Sequence, residues 1–266
     1  MTRQAPLLEI KHLTTSYRID KIFCLRKKVK VLDDINFSLE AGEILAVTGD
    51  AGSGKSTLLR IINGNIQNVK GEILYFGKPL NDYERIDRVN FVRMFYSQAE
   101  NSINPYIKVE KILNTPLELN TKLTSEMRKN RIDAILNYVG LSLGVKECFP
   151  IMLNHIQLLR LSLAKALILH PKILLVDAVV ERLDLQLRAQ IINILLDQQK
   201  KYNTTIIICL NNLDLINHMA DKMLILDHGQ QAEFNNVTNI LISPQSDIGK
   251  RILQCDRNEY RTIVSH

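Results

Sequence analysis

Apolar positions follow two rhythms along this chain. Short runs rich in β-branched and aliphatic residues, at Ile44 to Thr48, Glu72 to Phe76, Ile173 to Asp177, Thr205 to Leu210 and Met223 to Leu226, have the length and composition of strands. Between them, apolar residues recur at helical spacing in Gln157 to His170, which Pro171 ends, and in Leu185 to Tyr202. From about Ser97 to Asn154 the strand signal disappears. Within that stretch, Ser125 to Val139 places Met127, Ile132, Ile135, Leu136 and Val139 on one helical face, with Gly140 as the stop. The alternation predicts an α/β fold with a mainly parallel sheet and a helical subdomain inserted into it.

Composition narrows the classes. A chain of 266 residues, 46% hydrophobic and 23% charged, carries enough apolar material for one large domain or for a core with an insertion. The longest apolar stretches, near Leu161 to Leu169 and Ile173 to Val176, are broken by Lys165, His170 and Asp177, well short of the roughly 20 residues a membrane helix needs. Residues Met1 to Pro6 lead into polar and charged sequence instead of an apolar core, so no secretory signal is expected and the chain is expected in the cytoplasm. Cys24, Cys148, Cys209 and Cys255 lack metal-ligand spacing and are expected as reduced thiols. The net charge of +6 includes a cluster at Arg26, Lys27, Lys28 and Lys30, either a solvated basic loop or a patch facing anionic headgroups or phosphates. No interleaving of aromatic and basic residues suggests a nucleic-acid partner.

One motif carries specific chemistry. Gly49-Asp50-Ala51-Gly52-Ser53-Gly54-Lys55-Ser56-Thr57 follows a predicted strand and opens a helix near Ser56, the full pattern of a phosphate-binding loop. Its glycines let backbone N–H groups curl around phosphate oxygens, Lys55 neutralises the β- and γ-phosphates, and Ser56 can ligate magnesium. Asp177, ending the strand Ile173 to Asp177, is the candidate carboxylate for the magnesium shell. ATP and Mg2+ are therefore the expected cofactors.

With these residues in place, the chain resembles the ATP-binding subunits of ABC transporters, and within them the dipeptide, oligopeptide and Sap-type antimicrobial-peptide importers of bacteria. The likeness rests on Ser102-Ile103-Asn104-Pro105, on Leu163-Ala164-Lys165-Ala166-Leu167 followed by His170-Pro171-Lys172, and on Asn239 to Pro244 as the start of a peptide-importer tail. It implies a P-loop NTPase (RecA-like) core with an antiparallel β edge. Across residues 1–266 it implies a single nucleotide-binding domain, with its core in 1–96 and 155–240, a helical subdomain in 97–154 and the tail in 241–266. It also implies that Tyr17 stacks on adenine, unless it is a core aromatic at the sheet edge, and that Leu183-Asp184 is the D-loop. Gln98, the candidate Q-loop ligand of nucleotide and magnesium, stands one residue from the family spacing, which falls on Ser97.

Other positions depart from the family pattern. Where the resemblance puts a glutamate after Asp177, to polarise the attacking water, stands Ala178; losing general-base assistance costs about 10²- to 10⁴-fold in rate. The switch histidine is matched by Asn212, with His218 displaced six residues along the next helix. The signature motif is matched by Leu153-Asn154-His155-Ile156-Gln157, without its two glycines. ATP binding is expected, and hydrolysis at this chain's own site is expected to be weak.

Family members pair head to tail, so a second, intact ABC ATPase subunit is the expected partner, in a heterodimer in preference to a homodimer, together with integral-membrane permease subunits. That places the chain as a peripheral protein on the cytoplasmic face of the inner membrane. Three other readings stay open: an ATP-sensing regulatory or scaffolding subunit, a fully active ATPase using substitute residues, and a P-loop kinase.

Overall fold

The computed structural model describes residues 5–20, 26–67, 69–79, 82–96 and 103–254, with backbone alone for 17–20, 26–28, 85 and 86. In chain order the elements begin with β1 (Leu8–Asp20), β2 (Arg26–Leu39), β3 (Ile44–Thr48), α1 (Lys55–Ile62), β4 (Val69–Tyr75) and β5 (Lys78–Pro79). Next come α2 (Arg85–Phe91), β6 (Val92–Tyr96), α3 (Val109–Asn120), α4 (Ser125–Tyr138), α5 (His155–Leu167), β7 (Ile173–Asp177) and α6 (Leu185–Tyr202). The last are β8 (Thr205–Cys209), α7 (Leu213–Met219), β9 (Lys222–Asp227), β10 (Gln230–Asn236) and α8 (Val237–Ile242), followed by a helical stretch at 247–254. None of these helices is long and apolar enough to cross a membrane.

The chain divides into two compact units, one formed by the segments before Glu84 and after Thr204, the other by Glu84–Thr204. In the first unit the strands lie in the order β5-β4-β1-β2-β10-β9-β3-β8. β3 pairs in parallel with both β8 and β9, and every residue of β3 and β8 is buried, as expected of strands covered on both faces. The edge made by β1, β2, β4 and β5 is antiparallel. Asp221 fastens the start of β3: its carboxylate accepts from Ile44 N (2.8 Å) and its own N–H donates to Ile44 O (2.9 Å).

Among the described residues the second unit holds the parallel pair β6 and β7 with five α-helices. Its core includes Phe95 on β6, Leu113 and Leu117 on α3, Leu136 on α4 and Leu163 on α5, all without solvent exposure. The segment from 103 to 154 is helical throughout its regular elements, as the vanished strand signal predicts. Met127, expected on the buried face of α4, is 53% exposed because it lies in the first turn, ahead of the packed residues Ile132, Ile135 and Leu136.

Some boundaries differ from the sequence pattern for local reasons. The strand expected over Glu72 to Phe76 is β4, which ends at Tyr75 because Phe76 turns the backbone into the left-handed region (φ 49°). The helix expected from Gln157 begins at His155, two residues earlier, where Asn154 caps it, and ends at Leu167, since His170 is left-handed (φ 49°) before Pro171. β1 and β2, the longest strands described, are not among the clear runs of the pattern, though the resemblance implies an antiparallel edge. Register shifts at three points between them break the period-two alternation. Cys148 and Cys209 are free thiols, and Cys24 and Cys255 lie outside the described residues.

His170 makes the second unit sensitive to acid. Its ring stacks on Tyr202 at a centroid distance of 4.3 Å, and its Nδ1 is buried without a hydrogen-bond partner. Burial, reinforced by the Arg131 guanidinium, lowers its pKa from 6.5 to about 4. The unfolded chain therefore takes up this proton first, so the contribution of the neutral ring is present above about pH 6.5 and is lost as pH falls toward about 4. Urea denaturation at about pH 7.5 and about pH 5 should show a lower midpoint in acid, with a smaller drop in His170→Asn, a residue that also tolerates φ above zero. Equal drops in both proteins would remove His170 as the cause.

Candidate nucleotide site

The loop after β3 is shaped by its neighbours as much as by its own glycines. Gly49 (φ 137°), Gly52 (φ 83°) and Gly54 (φ 103°) all adopt backbone that side chains disfavour. At Gly49 a Cβ would stand 2.1 Å from the backbone oxygen of Leu226, which excludes a side chain, and at Gly54 one would stand 2.6 Å from Leu32 Cδ2, so that Leu32 would have to move. Gly52 faces open space. The turn between β9 and β10 holds the loop from behind, with Gly229 N donating to Ser53 O (3.2 Å). Within the loop, Ser53 N donates to Asp50 O (3.1 Å), and Lys55 Nζ donates to Gly49 O (2.5 Å) and Asp50 O (2.9 Å).

This arrangement presents an anion cradle. Gly54 caps α1 with no side-chain acceptor, which leaves the first-turn N–H groups and the positive end of the helix dipole to a ligand's phosphates. Asp50, Ala51 and Gly52 are exposed, while Ser56 and Thr57 are half-buried in the first turn of α1.

Asp177, 9% exposed, ends β7 opposite Tyr96 of β6. The hydroxyl of Ser56 and the carboxylate of Asp177 are hard oxygen donors of the kind magnesium takes. No group of three or more His, Cys, Asp or Glu side chains among the described residues is placed to hold a metal ion.

The remaining candidates are occupied by local duties. Ala178 is left-handed (φ 48°), and a turn of 3₁₀ helix at Val180–Arg182 follows. Glu181 lies in that turn, its carbonyl accepting from Arg188 Nη2 (3.1 Å). Asp184 caps α6, its Oδ1 accepting from Leu187 N (2.9 Å). Asn212 caps α7 in the same way, accepting from Leu215 N (2.9 Å), and His218 is exposed on that helix. Asn154 and Gln157 form a capping box at the start of α5: Asn154 Oδ1 accepts from Gln157 N (2.9 Å), and Gln157 Oε1 accepts from Asn154 N (3.0 Å). Leu153 is half-buried, and His155 and Ile156 point to solvent. Tyr17 is placed by its backbone in β1 opposite Val29, its side chain lying outside the described residues, as do Ser97, Gln98 and Ser102.

Three contacts to the loop region escape sequence reasoning. Thr48 Oγ1 donates to Asn211 Oδ1 (3.1 Å), which ties the residue before Asn212 to the strand that feeds the loop. Gly229 follows His228 in a tight turn, a signal that marks the turn but not its contact. Arg251, far along the chain, lies 3.8 Å from the Asp50 carboxylate, and no local pattern announces it.

Comparison with known proteins places these features in context. A family model described as ABC transporter matches residues 32–180. A protein of Escherichia coli K12 named putrescine export system ATP-binding protein SapF is 33% identical over 247 residues, 93% of this chain and 92% of the relative. The peptide transport system ATP-binding protein SapF of Salmonella typhimurium is 32% identical over the same shares. The dipeptide transport ATP-binding protein DppF of Haemophilus influenzae is 32% identical over 93% of this chain and 77% of the relative. In fold, the chain resembles the dimeric cassette MJ0796 in a post-hydrolysis state bound to ADP and Pi (TM-score 0.76, 21% identity, 86% of this chain and 98% of that one). It also resembles CbiO1 of Clostridium perfringens, described as part of the ABC transporter complex CbiONQ (TM-score 0.74, 24% identity, 90% and 92%).

Proposed function

The chain belongs to the ABC transporter family of ATP-binding proteins, and from that membership we propose that it is the ATP-binding subunit of a peptide transporter, holding MgATP as a clamp while a partner subunit carries out most turnover. The observation that carries this reading is Ala178, which directly follows the buried Asp177. A methyl group accepts no proton, and the missing base raises the barrier at this site by about 3 to 5 kcal/mol.

In this reading each residue keeps a separate task. Lys55 and the backbone of Gly49 to Ser56 bind the phosphates, Ser56 and Asp177 supply oxygen ligands to magnesium with Gln98 as a further candidate, and Tyr17 stacks on adenine. The side chain of Asn212 serves as a helix cap, which supports weak rather than efficient hydrolysis here. The capping box does the same for the signature segment: Asn154 and Gln157 satisfy each other, and His155 and Ile156 project where the family pattern has glycine. Two such chains would repeat every departure in both composite sites, so the heterodimer is the better assembly. Residues 97–154 are then the helical subdomain and 241–266 the tail of a single nucleotide-binding domain. Attachment to permease subunits gives the chain a peripheral place at the inner membrane. The relatives carry both peptide-transport and putrescine-export names, and the Ser102 to Pro105 segment with the tail supports the peptide reading, an antimicrobial peptide being one such cargo.

The test is magnesium-dependent phosphate release by the complex recovered from native membranes through a tag on this chain. Turnover is expected to persist, at a reduced rate, when Lys55→Ala removes the clamp. Turnover abolished by that change would overturn the division of labour, and an intact complex with no turnover at all would favour the regulatory or scaffolding role.

A further inference from the structure

The carboxy-terminal part of the first unit reaches back to the phosphate loop. Glu233 on β10 anchors the chain as it leaves the sheet: its carboxylate accepts from Gln245 N (3.1 Å), from Ser246 N (3.0 Å) and from Ser246 Oγ (2.8 Å). Ser246 Oγ in turn accepts from Gly249 N (3.0 Å), which caps the helical stretch at 247–254. Ile248 is 3% exposed, and a Cβ at Gly249 would stand 2.8 Å from Ser246 Oγ. The direction of this helix is therefore fixed by a buried side chain, a carboxylate clamp and a close approach. Arg251 follows one turn on, with Nη2 lying 3.8 Å from Asp50 Oδ2.

Asp50 brings an exposed carboxylate to this loop. A carboxylate in a loop that wraps a triphosphate repels the ligand the loop is built to hold. The described bonds of Lys55 go to the backbone carbonyls of Gly49 and Asp50 and not to the Asp50 carboxylate, which Arg251 alone approaches among the described ion pairs. We propose that Arg251 is a positioning residue of the nucleotide site, holding the Asp50 carboxylate away from the phosphates and opposing its charge, so that the tail sets the affinity of the loop for a nucleoside triphosphate. This rests on the loop's binding MgATP and assigns to the tail a part in it.

The experiment is a binding titration of the purified full-length chain with a fluorescent ATP analogue and magnesium at low salt. Arg251→Glu is expected to weaken binding by about three- to tenfold, the scale of one surface charge pair made repulsive, while Arg251→Lys stays within about twofold. The decisive arm is Asp50→Asn: in that background Arg251→Glu should change affinity by less than about twofold, because the charge it opposes is gone. The Arg251→Glu effect should also shrink at higher salt. Unchanged affinity in Arg251→Glu, or a loss that persists in the Asp50→Asn background, would overturn the proposal. Lys55→Ala separates the two levels: a wild-type chain that binds no better than Lys55→Ala would overturn the reading of the loop itself and the role of Arg251 with it.

Discussion

Gly49→Ala should abolish MgATP binding in a chain that remains folded. The new methyl group would lie 2.1 Å from the carbonyl oxygen of Leu226 and 3.0 Å from Ser53 Oγ, at a backbone φ of 137° that alanine avoids. One side must yield. Leu224, Ile225 and Leu226 are wholly buried in β9, which pairs with β3 and β10, so the loop is the part that moves. Displacing it misplaces several N–H donors at once, each worth about 1.5 to 3 kcal/mol when its acceptor is charged, and a loss of more than about 100-fold in affinity follows. Gly52→Ala is the control. Gly52 has φ 83° but nothing within 4 Å of a Cβ, so alanine there carries only the conformational penalty of about 1 to 2 kcal/mol. Calorimetric titration of both variants should separate them by at least about tenfold. Similar losses in the two would mean that backbone strain, not the contact with β9, governs the loop.

Phe95→Ala is expected to cost about 3 to 5 kcal/mol of folding stability, a large share of the roughly 5 to 15 kcal/mol available to a domain. Phe95 has no solvent exposure and sits in β6, the strand that pairs in parallel with β7 and sets Tyr96 opposite Asp177. Its removal leaves a ring-sized cavity in the second unit, which the buried strand on one side and the helices on the other can close only in part. The midpoint of urea unfolding should fall sharply, whereas Tyr106→Ala, at a side chain 75% exposed, should move it by no more than about 0.5 kcal/mol equivalent. A drop in Phe95→Ala no larger than in Tyr106→Ala would show that the core at β6 repacks freely.

The parts of this fold that the sequence announces are those whose rules are local. β3, β7 and β8 are buried on both faces and read as unbroken apolar runs, and α6 occupies Leu185–Tyr202 as its spacing predicts. β1 and β2 are not announced, because their shifted register mixes the faces of the sheet and the charges at Arg26 to Lys30 hide the second strand's beginning. The phosphate loop is legible because its chemistry demands glycine, lysine and serine at fixed intervals within nine residues. The groups that hold it in place are not. Leu226, Gly229, Asn211 and Arg251 come from more than 150 residues downstream, and their contacts depend on the parallel pairing of β3 with β8 and β9, which no local pattern encodes. Ala178, Asn212 and Asn154 are visible as letters, but that both asparagines serve as helix caps appears only once the backbone around them is drawn.

The left-handed backbone of Ala178 bears on the history of this site. An alanine held at φ 48° gives up about 1 kcal/mol relative to glycine, and a glutamate there would give up about the same, so the conformation does nothing to favour the acid. Once selection for catalysis at such a position lapses, the substitutions that folding favours are those that relax the backbone, glycine and asparagine foremost, and neither supplies a carboxylate. A lineage that has lost the base therefore meets no folding advantage in regaining it. On the clamp reading proposed above, the service of the bound nucleotide to a partner is then what remains for selection to keep.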